Sequence, residues 1–165
     1  MSNCSMCKHF LICRHRKDGG VPDCTHYVAA IPNRPTKYEY YLEIARAVSR
    51  RSTCLRRQFG AVIVNNDEII ATGYNGSPRG TNNCCDGTLC KRIGHSHNDG
   101  DYGDCESVHA EMNAMLSAAR RDMIGATLYL YGEEDGITID AEPCPICHRM
   151  ILNAGIKKLI VSHKK

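Results

Sequence analysis

Apolar residues recur along the chain in two different periods, and the switches between them mark the elements. Tyr41, Ala45 and Val48 fall at i, i+4 and i+7 behind Thr36 and Glu39, which form a capping box, so the spacing predicts an amphipathic helix over about 37–51. The β-rich runs 59–64 and 68–74 flank Asn65-Asn66-Asp67 and read as a hairpin. Residues 75–106 are rich in Gly, Asn, Asp, Cys and His and follow neither period; a loop of that length inside a domain needs a function or a tether. Val108, Met112, Met115, Leu116 and Ala119 then predict a second helix with a buried face, and 126–132 a strand. A third helix starts at Cys144 and ends at Asn153-Ala154-Gly155, where Gly155 suits a left-handed cap, and 156–162 is the last strand. Hairpin, helix, strand, helix, strand predicts an α/β fold with a mixed sheet covered by helices, because parallel neighbours need helical crossovers.

Composition narrows the class. The length of 165 residues matches one domain of about 150 with a small appendage, and 42% hydrophobic with 24% charged residues excludes a disordered or collagen-like chain. A net charge of +3 is too small to argue for a nucleic-acid footprint or an anionic membrane surface. The cysteines stand out: there are eleven, an odd number, so a fully paired disulfide framework cannot use them all. Met1-Ser2-Asn3-Cys4 opens no basic and apolar leader, and no run nears the roughly 18 apolar residues of a membrane span, so a cytoplasmic protein without membrane contact is expected. In that reducing compartment clustered cysteines serve as metal ligands or catalytic groups more often than as disulfides. Residues 1–35, with four cysteines, three histidines and a Pro32-Asn33-Arg34-Pro35 linker, are expected to form a small module ahead of a catalytic domain over 36–165.

The chemistry gathers at two helix starts, His109-Ala110-Glu111 and Pro143-Cys144-Pro145-Ile146-Cys147. Cys144 and Cys147 are three apart and share a face, and a helix N-terminus lowers a thiol pKa toward the thiolate that zinc needs. His109 is the third candidate ligand. Glu111 lies roughly 200° around a regular helix from His109, so both face one metal only at an open first turn. Three protein ligands leave the fourth tetrahedral position to water, as in a catalytic zinc, and Glu111 is free to move protons. The alternative is a closed structural zinc with Glu111 as a solvated helix-start carboxylate. His-x-Glu with Pro-Cys-x-x-Cys is the known signature of zinc nucleobase deaminases, which favours the catalytic reading.

Together with Arg51-Ser52-Thr53-Cys54, Phe59-Gly60-Ala61-Val62 and Thr72-Gly73-Tyr74-Asn75-Gly76-Ser77-Pro78-Arg79-Gly80, these motifs give a chain that resembles the cytidine and deoxycytidylate deaminase superfamily over about 37–162, and most closely its deoxycytidylate deaminases. The resemblance implies a three-layer, cytidine-deaminase-like fold with helices on both sheet faces, and a zinc-dependent hydrolysis of dCMP to dUMP and ammonia that feeds thymidylate synthesis. It further implies that Asn75 contacts the deoxyribose, that the Ala110 backbone meets the base, and that Ser77 and Arg79 lie near the phosphate. A homo-oligomer regulated by dCTP and dTTP also follows from it. Two features depart from the family pattern: ten residues, 133–142, separate the strand from Pro143, and the sequence stops at Lys165, just after the last strand.

The remaining cysteines form two sets. Cys4, Cys7, Cys13 and Cys24 have the spacing of a small structural zinc site, with His9, His15 or His26 as substitutes. By resemblance, Cys54 and Cys84 match positions that hold a second structural zinc in relatives; Cys90 and Cys105 complete the set, with His95 or His97 as substitutes, and Cys85 is left over. Two other functions fit less well. A polynucleotide deaminase is disfavoured by the near-neutral charge and the absence of an aromatic-basic stripe. A zinc-stabilised nucleic-acid-binding module using Arg14, His15, Arg16 and Lys17 is disfavoured by the intact Glu111.

Overall fold

The structure, a computed structural model, describes residues 34–87, 90–95 and 105–164. The cysteine-rich segment with Cys4, Cys7, Cys13 and Cys24 lies outside the described residues, as does His97.

Five strands form one mixed sheet. β1 (Gln58–Asn65) lies between β2 (Glu68–Tyr74) and β3 (Thr127–Glu134) and is antiparallel to both. β5 (Lys158–Val161) runs parallel to β3, pairing with Thr127 to Leu130, while β4 (Ile137–Ile139) runs antiparallel to it, pairing with Gly132 to Glu134. The two short strands therefore follow one another along the β3 edge that β1 does not occupy. Buried Ser162 closes the seam between them. Its N–H donates to the Leu130 carbonyl at 2.9 Å, and its hydroxyl donates to the Ile139 carbonyl at 3.0 Å while accepting the Gly132 N–H at 3.1 Å.

Both faces of the sheet are covered, which is why β1 reads as an unbroken apolar run instead of an alternating one. On one face Val62, Val64, Tyr129 and Tyr131 pack against Tyr41 and Ala45 of α1 (Lys37–Ser49). On the other, Ala61, Ile63, Leu128 and Leu130 pack beneath α2 (Ala110–Leu116), the short α3 (Arg120–Met123) and α4 (Pro145–Ala154). The expected helix–sheet–helix layering is present. Two glycines bring backbone against backbone: a Cβ on Gly60 would meet the Ala45 carbonyl of α1, and one on Gly73 would meet the Ala110 carbonyl and Ala114 N–H of α2.

That contact at Gly73 corrects the predicted helix. Met112, Leu116 and Ala119 were expected on its buried face, yet Leu116 is 76% exposed; the buried residues are Ala110, Glu111, Ala114 and Met115, with Ala110 and Ala114 at the glycine. A helix this close to a strand can present only small residues at the contact, so the alanine stripe turns inward. The helix also ends at Leu116; 117–119, expected as its continuation, are non-helical and lead into the short α3. The ten residues before Pro143 are likewise more than a loop, since β3 runs on to Glu134 and turns through Asp135 and Gly136 into β4. Both turn residues have positive φ, 52° and 75°, as a two-residue hairpin matched to the sheet twist requires. Gly155 caps α4 in the predicted left-handed conformation at φ 84°. Among the described residues, no helix is long and apolar enough to cross a membrane.

Candidate active site

Two helix starts meet beside the sheet. His109 is the N-cap of α2 in an extended conformation, and its predecessor Val108 is pinned by a two-way backbone bridge to Gly76, which follows β2, at 2.8 and 3.1 Å. Cys144 is the N-cap of α4, ahead of Pro145 at the first helical position, and its Sγ accepts the Cys147 N–H at 3.4 Å. The His109 Nδ1 then lies 3.6 Å from the Cys144 Sγ and 3.4 Å from the Cys147 Sγ. Among the described residues, these three make the one group of at least three metal-donor atoms within 4.8 Å of one another.

The donor set fits zinc. A tetrahedral ion with Zn–S of about 2.3 Å and Zn–N of about 2.0–2.1 Å separates imidazole nitrogen from sulfur by roughly 3.6 Å, and the two observed distances lie within about 0.2 Å of that. Two soft sulfurs with one imidazole also suit zinc better than a hard oxygen-seeking cation. His109, Cys144 and Cys147 thus constitute one catalytic-type zinc site. Burial pushes the Cys147 thiol well above its usual range, and the charges of Glu111 and Cys144 add to the effect. That direction opposes the lowering expected from the helix start, so desolvation outweighs the helix dipole here, and an arriving cation must displace the thiol proton. Glu111 is 4% exposed; burial pushes its carboxyl up, while its own backbone N–H and His109 pull the other way.

Glu111, His109, Ala110 and Cys144 line a cavity of about 680 Å³. Asn75 also lines it, and its amide is largely engaged: Oδ1 accepts the Phe59 N–H and the Ser52 hydroxyl, each at 2.7 Å, and Nδ2 donates to the Arg57 carbonyl at 2.8 Å. One N–H of Asn75 is left over from these bonds. Ser77 and Arg79 are not brought into the cavity. Ser77 is held by Thr53 and Cys84, and the Arg79 Nη2 donates to the Ser117 hydroxyl at 3.2 Å on the exposed surface.

Of the second cysteine set, Cys54, Cys90 and Cys105 line the same cavity. Burial raises the Cys54 thiol, and Cys90 and Cys105 are near enough to add to that rise. Cys84 sits instead 3.4 Å from the Ser77 Oγ, and Cys85 is exposed. No disulfide joins the described cysteines. The sequence reading missed Arg56, Arg57 and Arg92 on the cavity wall. Arg56 and Arg57 adjoin the Arg51-to-Cys54 motif, which was a usable clue; buried Arg92 lies in an aperiodic loop that offers none.

Comparison with known proteins gives a consistent result. A family model described as "Cytidine and deoxycytidylate deaminase zinc-binding region" matches residues 35–163. The deoxycytidylate deaminase of Mycobacterium phage D29 is 39% identical over 133 residues, covering 78% of this chain and 95% of the phage protein. That of Schizosaccharomyces pombe is 39% identical over 132 residues, covering 78% of this chain and 38% of the yeast protein. The crystal structure of a cyanophage S-TIM5 dCMP deaminase in complex with dCMP and dUMP superposes with a TM-score of 0.56 at 29% identity, over 80% of this chain and 85% of the other.

Proposed function

Since the chain belongs to the cytidine and deoxycytidylate deaminase family, we propose that it catalyses the hydrolysis of dCMP to dUMP and ammonia, a step that feeds thymidylate synthesis. The observation that carries this reading is the convergence of His109, Cys144 and Cys147 at a cavity lined by buried Glu111. A zinc ion held by the three ligands supplies the Lewis acidity that makes water nucleophilic near neutral pH. Glu111 accepts a proton from the attacking water and delivers it to N3 of the cytosine ring. With the water oxygen now bonded to C4, Glu111 carries the remaining hydroxyl proton to the amino nitrogen, so that the C4–N bond breaks, C4=O forms and ammonia leaves. Ala110 meets the base through its backbone, and the remaining N–H of Asn75 serves the deoxyribose.

The test is ammonia release from dCMP, dCTP, cytidine and single-stranded DNA in parallel. The expected result is fastest release from dCMP; fastest release from DNA overturns the substrate assignment in favour of a polynucleotide deaminase.

The same reading extends to features of the chain outside the catalytic centre. Structural zinc is proposed at Cys54, Cys84, Cys90 and Cys105, supported by three of these thiols facing one cavity, and at Cys4, Cys7, Cys13 and Cys24 within a module over 1–35. A cytoplasmic homo-oligomer with dCTP as activator and dTTP as inhibitor completes the proposal, with neither nucleic acid nor membrane as partner.

A further inference from the structure

Of the motif Arg51-Ser52-Thr53-Cys54, only the cysteine lines the catalytic cavity. Ser52 is not on the cavity wall, yet its hydroxyl bonds to two residues that are. The Oγ accepts the Cys54 N–H at 3.1 Å, which directs its single proton to Asn75, whose side-chain Oδ1 lies at 2.7 Å and main-chain oxygen at 2.8 Å. The Ser52 N–H donates to the Ser49 carbonyl at 2.8 Å, so this hydroxyl is presented from the end of α1. Asn75 is buried, and its main chain is fixed by other bonds. Its N–H donates to the Phe59 carbonyl at 3.2 Å, and its carbonyl accepts the Thr53 N–H at 3.3 Å. On one side of it the Asn113 Nδ2 donates to the Tyr74 carbonyl at 2.7 Å, and on the other Gly76 is bridged to Val108. Loss of the Ser52 hydroxyl therefore leaves the strand end in place and acts on the amide.

An amide oxygen has two lone pairs and an amide nitrogen two protons. The Oδ1 of Asn75 accepts from the Phe59 N–H and the Ser52 hydroxyl, which takes up both lone pairs, and Nδ2 gives one proton to the Arg57 carbonyl. A turned amide would set its NH2 against the Phe59 N–H and its oxygen against the Arg57 carbonyl, donor to donor and acceptor to acceptor. The amide is thus held in one orientation and meets a ligand in the cavity only as a donor, through its last N–H. Of the three groups that hold it, Ser52 is the one that acts through a side chain, and so the one that a substitution removes. In dCMP the 2′-oxygen is absent and the 5′-oxygen is esterified, which leaves the 3′-oxygen as the free sugar hydroxyl.

We propose that Ser52 is a positioning residue for Asn75: its hydroxyl occupies the second lone pair of Oδ1 and so aims the remaining N–H at the 3′-oxygen of the deoxyribose. The proposal rests on the dCMP reading above and names what orients the sugar contact. The full-length, zinc-loaded protein is assayed for ammonia release from dCMP and from 2′,3′-dideoxycytidine 5′-monophosphate, which lacks only the 3′-hydroxyl. Wild-type protein is expected to favour dCMP. Ser52→Ala is expected to lower kcat/KM for dCMP by about three- to tenfold, the range for one neutral hydrogen bond, mainly through KM, while the dideoxy compound keeps its wild-type value. Ser52→Thr, which retains the hydroxyl, should restore the preference. Both substrates are compared within one preparation, so a smaller folded fraction cancels from their ratio. If Ser52→Ala does not fold, the near-isosteric Ser52→Cys, a weaker donor, decides by the same ratio. A ratio of one in the wild-type protein overturns the proposal, as does a Ser52→Ala variant that loses equally on both substrates or on neither. Calorimetric titration with dUMP and its 3′-deoxy analogue separates this proposal from the reaction. Wild-type protein that releases no ammonia from dCMP refutes the reaction; a preference for dUMP that Ser52→Ala weakens keeps the positioning role, and no such preference removes it.

Discussion

Glu111 and a glutamine have nearly the same shape, but only the acid can relay a proton. Glu111→Gln should therefore keep zinc, because the residue is not one of the three ligands, and should lose at least about 10²- to 10⁴-fold in turnover. Elemental analysis beside an ammonia assay checks both halves; near-normal turnover removes the proposed mechanism. At this scale the chemistry was legible wherever it sits at a helix start. His109, Cys144 and Cys147 carry fixed spacings that declare themselves in one dimension, and the structure brings their donor atoms together. Ser77 and Arg79 are placed near the phosphate by the family resemblance alone, and in the structure their bonds go to Thr53, Cys84 and Ser117. Arg92 was invisible because nothing local marks a loop arginine as buried.

Helices α1 and α2 each lie on a glycine of the sheet, but only α2 carries a metal ligand at its start. Gly73→Ala drives a methyl group into the α2 backbone and should cost about 1–3 kcal/mol of stability by overpacking. It should also displace His109 and reduce zinc retention and turnover. Gly60→Ala makes the equivalent clash with α1 and should lower the melting temperature with a smaller loss of turnover per folded molecule. Equal losses of turnover in the two variants, measured below both melting temperatures, would show that the contact at Gly73 does not position the site. Among the elements, β2 was readable to its ends because its β-rich residues run between a turn and a glycine-rich loop. The face of α2 was not, since its larger apolar residues outline a stripe that the glycine beneath the helix rejects. The strand β4 was missed although Asp135-Gly136 is the strongest short hairpin cue, because its three residues are too few to show a period.

For the molecule as a whole, the proposed structural sites predict three zinc ions per chain, one of them required for turnover. Cys4→Ser should remove one ion and leave dCMP turnover largely intact, while Cys54→Ser should remove a different one and impair turnover. A single zinc in the wild-type protein would refute both structural sites without touching the catalytic one. The placement of the catalytic ligands on α2 and α4 also has a consequence during protein synthesis. His109 leaves the ribosome well before Cys144 and Cys147, with the whole of β3 and β4 still to follow. A nascent chain that has folded its first hairpin and α2 therefore carries only one of the three catalytic ligands, the His109 imidazole. A chain truncated anywhere before Cys147 lacks part of the ligand set, however much of its sheet has formed. Assembly of the catalytic centre is in this sense a check on translation, passed only once Cys147 has been made.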